Sequence, residues 1–435
     1  MKILIQNGRV IDPASGRDER ADIAVAAGRI VTIGVVGADF RAERTIDAAG
    51  CIVAPGLVDL AARLREPGLE HEGMLESELA AAAAGGVTSL VCPPDTDPTL
   101  DEPGLVEMLK FRARKLSRCR LFPLGALTKG LQGDSLTEMA ELTEAGCVGF
   151  SQAEVPIADT LVLQRALQYA STYGYAVWLR PQDGWLGKGV AASGPIATRL
   201  GLSGVPVAAE TVALHTIFEL MRGTGARVHV CRLSSAAGVA LLRAAKAEGL
   251  PVTADVSINS LHLTDVDIGY FNSAMRVTPV LRQQRDRDAL RAGLADGTID
   301  ALVSDHNPVD ADAKVLPFAE AEPGATAVEL LLGLACKWAQ QDGLGLMQAL
   351  AVLTSGPQLV LGTRLGTLQH SVGQLGVGGQ ADLCIFDPND SWRVVPADLR
   401  SQGKHTPFDG HELPVRVRTT LVAGQVAYEA RRAVV

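Results

Sequence analysis

Pro55-Gly56-Leu57-Val58-Asp59-Leu60-Ala61-Ala62-Arg63-Leu64-Arg65-Glu66-Pro67-Gly68 is the stretch that decides the fold. A short apolar run of strand length gives way to small and charged residues and then to a Pro-Gly turn. That is the layout of a strand whose C-terminal end opens onto a site.

Outward from it, residues 54–366 alternate short apolar strands with alanine- and leucine-rich helical segments, the pattern of a parallel βα array. Eight segments read as strands: Leu57 to Leu60, Val87 to Cys92, Arg120 to Leu124, Cys147 to Ser151, Ala176 to Leu179, Arg227 to Cys231, Pro251 to Val256 and Ala301 to Ser304. They predict an α/β chain built on a (β/α)8 TIM barrel, with chemistry placed just after each strand.

The two ends have a different texture. Residues 1–53 read as short strands with turn punctuation: Lys2 to Ile5, Ile23 to Ala26, Ile30 to Ile33, Thr45 to Asp47 and Ile52-Val53. Residues 367–435 repeat it with Ala381 to Asp387, Val415 to Val422 and Gly424 to Tyr428. One small β-sandwich assembled from both termini is the simplest arrangement.

Composition bounds the rest. With 435 residues, 47% of them hydrophobic, the chain can bury a large core. A net charge of -9 without a long lysine or arginine run argues against nucleic acid or an anionic membrane as partner. Seven scattered cysteines without a C-x-x-C pair read as buried thiols of a reducing compartment. The N-terminal apolar run is too short for a signal peptide, and no apolar run is long enough to span a bilayer, so the expected location is the cytoplasm.

The frame of the opening stretch resembles the strand signature of dihydroorotases, members of the amidohydrolase superfamily. Glu66-Pro67-Gly68, Gly125-Ala126-Leu127-Thr128-Lys129-Gly130-Leu131, Ala295 to Asp300, Gly378-Gly379-Gln380-Ala381-Asp382-Leu383 and Thr406-Pro407-Phe408-Asp409-Gly410 extend the resemblance over nearly the whole chain. In that family imidazoles and carboxylates hold two zinc ions, which lower the pKa of bound water from about 15.7 to roughly 7 and make it a nucleophile.

The resemblance fails where those ligands should stand. The family's His-x-His pair reads Ala61 and Arg63, and its Phe-Ser-Asp-Asp-Gly run reads Phe150-Ser151-Gln152-Ala153-Glu154, with Gln152 at the bridging aspartate. Arg180 and Arg232 stand at the two further histidine positions. Only Asp305, in Ser304-Asp305-His306-Asn307-Pro308, matches the aspartate that serves as metal ligand and proton shuttle. Among substrate-holding positions, Arg65 remains, while Asp95, Thr278 and Val309 replace an asparagine, another asparagine and a histidine.

Arginine offers no lone pair to a metal. At the barrel mouth each guanidinium would repel a divalent ion about 4 Å away by on the order of 8 kcal/mol, at roughly 4 kcal/mol per unit charge pair. Zinc is therefore expected to be absent. Asp305 is expected to pair with one guanidinium, which would keep it ionised. His306 reads as structural support, and Glu76 and Glu78 as charges favoured at a helix N-terminus. Three cations together could instead form a site for phosphate or a nucleotide.

The pattern of losses resembles the non-catalytic dihydroorotase-like chain of some bacterial aspartate carbamoyltransferases. That resemblance implies a structural subunit of pyrimidine biosynthesis: a homodimer that braces the catalytic transferase chains in a larger hetero-oligomer. The competing expectation is a working dihydroorotase or cyclic amidohydrolase that binds substrate through Arg65 and uses Asp305 with one metal or none.

Overall fold

The computed structural model describes residues 1–430. Eight parallel strands form the barrel: Leu57–Asp59, Val87–Cys92, Arg120–Pro123, Phe150–Ser151, Ala176–Leu179, Arg227–Val230, Val252–Ser257 and Ala301–Val303. Seven match their expected positions within one residue, and the fourth is shorter, because Cys147 to Gly149 stay outside the ladder. The third strand changes neighbour at Leu124. Arg120–Pro123 pairs with the second strand, whereas Gly125 and Ala126 pair with Phe150 and Ser151 of the fourth.

Side chains alternate along each strand and sort into two cores. Val58, Leu60, Val91, Trp178, Ala301 and Val303 point into the barrel, whose base is plugged by Val360, Leu361 and Leu365. Leu57, Leu90, Val177, Val228, Val256 and Leu302 point outward and pack on helical residues such as Leu79, Leu109, Leu167, Leu214 and Leu242.

Closure joins the first and eighth strands. Ala62 bridges His306 in parallel, and the Arg63 N–H donates to the His306 carbonyl at 2.8 Å. Beneath them the fully buried Asp59 accepts from the Ser304 N–H at 3.1 Å and from the Ser304 hydroxyl.

The terminal unit contains two sheets. Arg29–Gly34, Asp22–Ala26, Lys2–Gln6 and Arg44–Asp47 lie side by side in one. The other interleaves both ends of the chain in the order Gln425–Glu429, Arg416–Val422, Leu383–Asp387, Ile52–Pro55, Arg9–Asp12 and Arg17–Arg20. Ile3, Ile5, Ile23, Val25, Val53, Leu383, Ile385 and Leu421 fill the space between them.

Two strands of these sheets, Arg9–Asp12 and Arg17–Arg20, escaped the sequence pattern. Arg17–Arg20 is entirely charged and sits at the sheet edge, where Asp18 pairs with Arg9 of the neighbouring Arg9–Asp12. Edge strands tolerate such residues because one side faces water.

Gly56 joins this sheet to the barrel. A Cβ at that position would lie 2.1 Å from Thr88 Oγ1, so glycine is required by close approach. All seven cysteines are free thiols; Cys51 and Cys231 are half-buried and the other five are buried. Among the described residues no helix is long and apolar enough to cross a membrane.

Candidate functional site

The loops leaving the first, fourth, sixth and eighth barrel strands each hold a non-glycine residue in the left-handed region: Arg65 (φ 63°), Ala153 (φ 49°), Arg232 (φ 54°) and Asp305 (φ 52°). Each such residue costs on the order of 1–2 kcal/mol, and strained backbone of this kind clusters at functional sites.

Arg63, Arg180 and Arg232 converge on one carboxylate, Glu154, held by the loop after the fourth strand. Glu154 Oε1 accepts from Arg63 Nη2 at 2.8 Å and pairs with Arg232 Nη2 at 2.5 Å, while Oε2 pairs with Arg180 Nε at 2.5 Å. Arg63 Nε donates to Asp95 Oδ2 at 2.8 Å, and Arg232 Nη1 donates to Asp305 Oδ1 at 3.1 Å. Three cations thus face three carboxylates, and the cluster is balanced.

The arginine side chains are 5–7% exposed and Glu154 is 32% exposed at the rim. Burial alone would raise the Glu154 carboxyl, yet Arg232, Arg180 and Arg63 together hold it far below the usual carboxylate range. Burial likewise opposes the charge on Arg232, but Glu154 and Asp305 carry its pKa above the ordinary arginine value.

Asp305 behaves differently from expectation. It is paired with Arg232, but burial outweighs that guanidinium and Arg63, so its pKa is raised. A carboxyl 4% exposed has lost nearly all its hydration, and one ion pair does not replace it.

The other expected positions divide. Gln152 is turned from the cluster: its Oε1 accepts from Thr128 Oγ1 at 3.0 Å and its Nε2 donates to the Leu131 carbonyl at 2.9 Å. Ala61 supplies no donor atom, and Val309 is buried. Arg65 Nε lies 2.6 Å from Glu72 Oε2 and 2.9 Å from the Pro308 carbonyl, so this atom is taken within the fold. Thr278 lines a cavity beside Arg180 and Arg232.

Glu154 was missed because it occupies a position where the family pattern has glycine. The left-handed Ala153 immediately before it was the part of the signal that sequence could not show. Glu78 is also more than a charge at a helix start. It is fully buried in the helix Leu75–Ala84, where its Oε2 lies 2.8 Å from His306 Nε2 and accepts from Ser401 Oγ at 2.6 Å. The Ala327 N–H donates to His306 Nδ1, so Nε2 bears the proton that reaches Glu78. His306 is thereby fixed as a structural link.

A zinc pair does not fit these donors. The arginines have no lone pair, Gln152 is engaged elsewhere, and Asp305 lies against a guanidinium. One other group of possible ligands was found among the described residues: His229, Cys231 and Asp255, within 4.8 Å of one another inside the barrel. Both His229 nitrogens are occupied, by Thr253 Oγ1 at 2.8 Å and Asp255 Oδ2 at 2.9 Å. Burial pushes the Cys231 thiol well above its ordinary pKa, away from the thiolate a metal needs.

A model of the Dihydro-orotase-like family matches residues 50–237, and one of the Amidohydrolase family matches residues 208–427. The chain is 46% identical to a dihydroorotase-like protein of Pseudomonas aeruginosa, over 99% of this chain and 100% of that one. It is 38% identical to a dihydroorotase of Citrifermentans bemidjiense, again over 99% and 100%. Among solved structures, L-hydantoinase from Arthrobacter aurescens superposes with a TM-score of 0.87 at 25% identity, over 100% of this chain and 97% of that one. Full-length similarity, the barrel with its two-ended sandwich and the retained strand-end motifs agree: the chain belongs to the dihydroorotase-like amidohydrolases.

Proposed function

We propose that this chain is a dihydroorotase homologue without hydrolytic activity. It acts as an assembly subunit of aspartate carbamoyltransferase in pyrimidine biosynthesis, as a cytoplasmic homodimer within a larger hetero-oligomer. The observation that carries the inactivity is Glu154, whose two oxygens take up three guanidiniums where a metal pair and its water would have to sit. A retained barrel whose mouth is knitted by ion pairs suits a structural role. The partner is inferred from the resemblance in the pattern of lost ligands.

A second reading has one observation in its favour. Asp305 is retained with a raised pKa, as a general acid or base would need, and relatives sharing 38% identity are named dihydroorotase. It describes a cyclic amidohydrolase with one metal or none.

Metal analysis and turnover of carbamoyl aspartate on purified protein separate the two. Stoichiometric zinc with measurable turnover would end the first reading. Co-expression with the host's aspartate carbamoyltransferase, followed by size-exclusion chromatography, tests the partner: a shared peak supports it and two separate peaks remove it.

A further inference from the structure

Beside the cluster lies a cavity of about 70 Å3, walled by the loops after the fifth, sixth and seventh barrel strands. Four guanidiniums line it, Arg180, Arg232, Arg276 and Arg282, with a single carboxylate, Glu210. Arg180 and Arg232 are matched by Glu154 and Asp305. Among the described residues the other two make no direct ion pair.

Among the described residues Arg276 has no ion-pair partner, and its Nε is buried without a hydrogen bond. Arg282, 7% exposed, donates from Nε to Ser234 Oγ at 2.8 Å and from Nη1 to the Val205 carbonyl at 3.4 Å, both uncharged acceptors. Glu210 makes no direct ion pair with either, because its oxygens already accept from the backbone N–H and the hydroxyl of both Ser234 and Ser235.

Withdrawing a cation from water without a counter-charge is unfavourable. Arg282 reaches the Glu210 charge only through Ser234 Oγ, and Arg276 reaches none, so two cations stand against one carboxylate and the cavity they face is a place for negative charge supplied from outside. Guanidiniums grip carboxylate and phosphate through paired N–H groups. The volume selects a small ion: it is several times the roughly 10–15 Å3 that one water needs, and far below the roughly 300–1,000 Å3 of pockets for drug-sized ligands. Arg65 and Asp95, where the resemblance puts the grip on a substrate carboxylate, do not line this cavity, although Thr278 does.

We propose that this cavity binds a small multivalent oxyanion, phosphate or a compact dicarboxylate, held chiefly by Arg276 and Arg282. Burial with no opposing carboxylate lowers the Arg276 pKa, which agrees with a side chain waiting for its counter-ion. The inference stands whether or not the chain is inert as a hydrolase.

The test titrates the full-length protein with sodium phosphate and, separately, sodium malonate at matched ionic strength. Calorimetry reads binding and the melting temperature is taken alongside. One saturable site is expected for at least one anion; phosphate alone would mark a phosphoryl ligand and malonate alone a dicarboxylate. Arg276→Gln should weaken binding at least tenfold, yet melt in chloride at or above the parent temperature, since it removes an unmatched charge. If it fails to fold, Arg276→Lys and Arg282→Gln serve, each with the same expected loss. Absence of saturation by either anion, or unchanged affinity in the variants, would overturn the proposal.

Discussion

Glu154→Gln is the substitution whose outcome most depends on the arrangement at the barrel mouth. It preserves volume while removing the charge on which Arg63, Arg180 and Arg232 converge. The gross attraction is about 4 kcal/mol per pair at 4 Å and an effective dielectric near 20. Measured losses on breaking one side of a buried pair are about 3–5 kcal/mol. Two features reduce that figure here: Glu154 is 32% exposed, and Asp95 and Asp305 still face two of the guanidiniums. About 2–3 kcal/mol is the expected net loss.

An unfolding entropy of about 2.1 cal/mol/K per residue gives roughly 0.9 kcal/mol/K for this chain, so the melting temperature should fall by about 2–3 °C. Scanning calorimetry can resolve such a shift. The sign with pH follows from the depressed carboxyl. Its folded pKa lies below the unfolded value of about 4.3, so its contribution is complete above that value and is lost only as pH falls through the folded one. The gap between parent and variant should therefore be constant from pH 6 to 8. Acetate at tens of millimolar, offered as a replacement carboxylate, should narrow it. A variant that melts at or above the parent temperature without added anion would refute the reasoning.

Asp305→Asn should be neutral or stabilising at pH 7, because the raised folded pKa makes ionised Asp305 costly above its unfolded value of about 3.9; urea titration at pH 7 and pH 4 should show the advantage shrinking with acid. Buried Lys314, whose ammonium donates to the carbonyls of Arg276 and Glu322, has its pKa pushed down to about 7. Its folded form sheds a proton that the unfolded chain keeps until about pH 10.4, so stability should rise from pH 7 to 10, and Lys314→Met should flatten that rise in denaturant titrations. Gly56→Ala should cost on the order of 1–3 kcal/mol through its collision with Thr88, and adding Thr88→Ala should recover part of the loss in the same melting assay.

The barrel was legible because its strands are dense apolar runs bounded by turns, as in Val87–Cys92 and Ala176–Leu179. The three arginines were legible for another reason, since residue type alone tells whether a side chain can ligate a metal. Where each guanidinium finds its counter-charge was not. Glu154 reaches them through the left-handed turn at Ala153, a backbone state that sequence does not display. The same holds for Asp305, whose proton affinity is set by how little water reaches it. Glu78 looked like an ordinary first-turn acid because its partners, His306 and Ser401, lie 228 and 323 residues away. Arg17–Arg20 gave no strand signal, because an edge strand facing water needs no alternation of apolar residues.

The strand Ile52–Pro55 has as one neighbour Leu383–Asp387, with Leu383 paired to Pro55. As the polypeptide leaves the ribosome, that flank stays bare until more than three hundred further residues have emerged. The barrel must therefore form, or wait, beside an unsealed ribbon able to recruit foreign strands, and long-range pairings of this kind are slow. Truncation near residue 380 would strand the nascent protein at that stage, and aggregation rather than a soluble barrel is the foreseeable product.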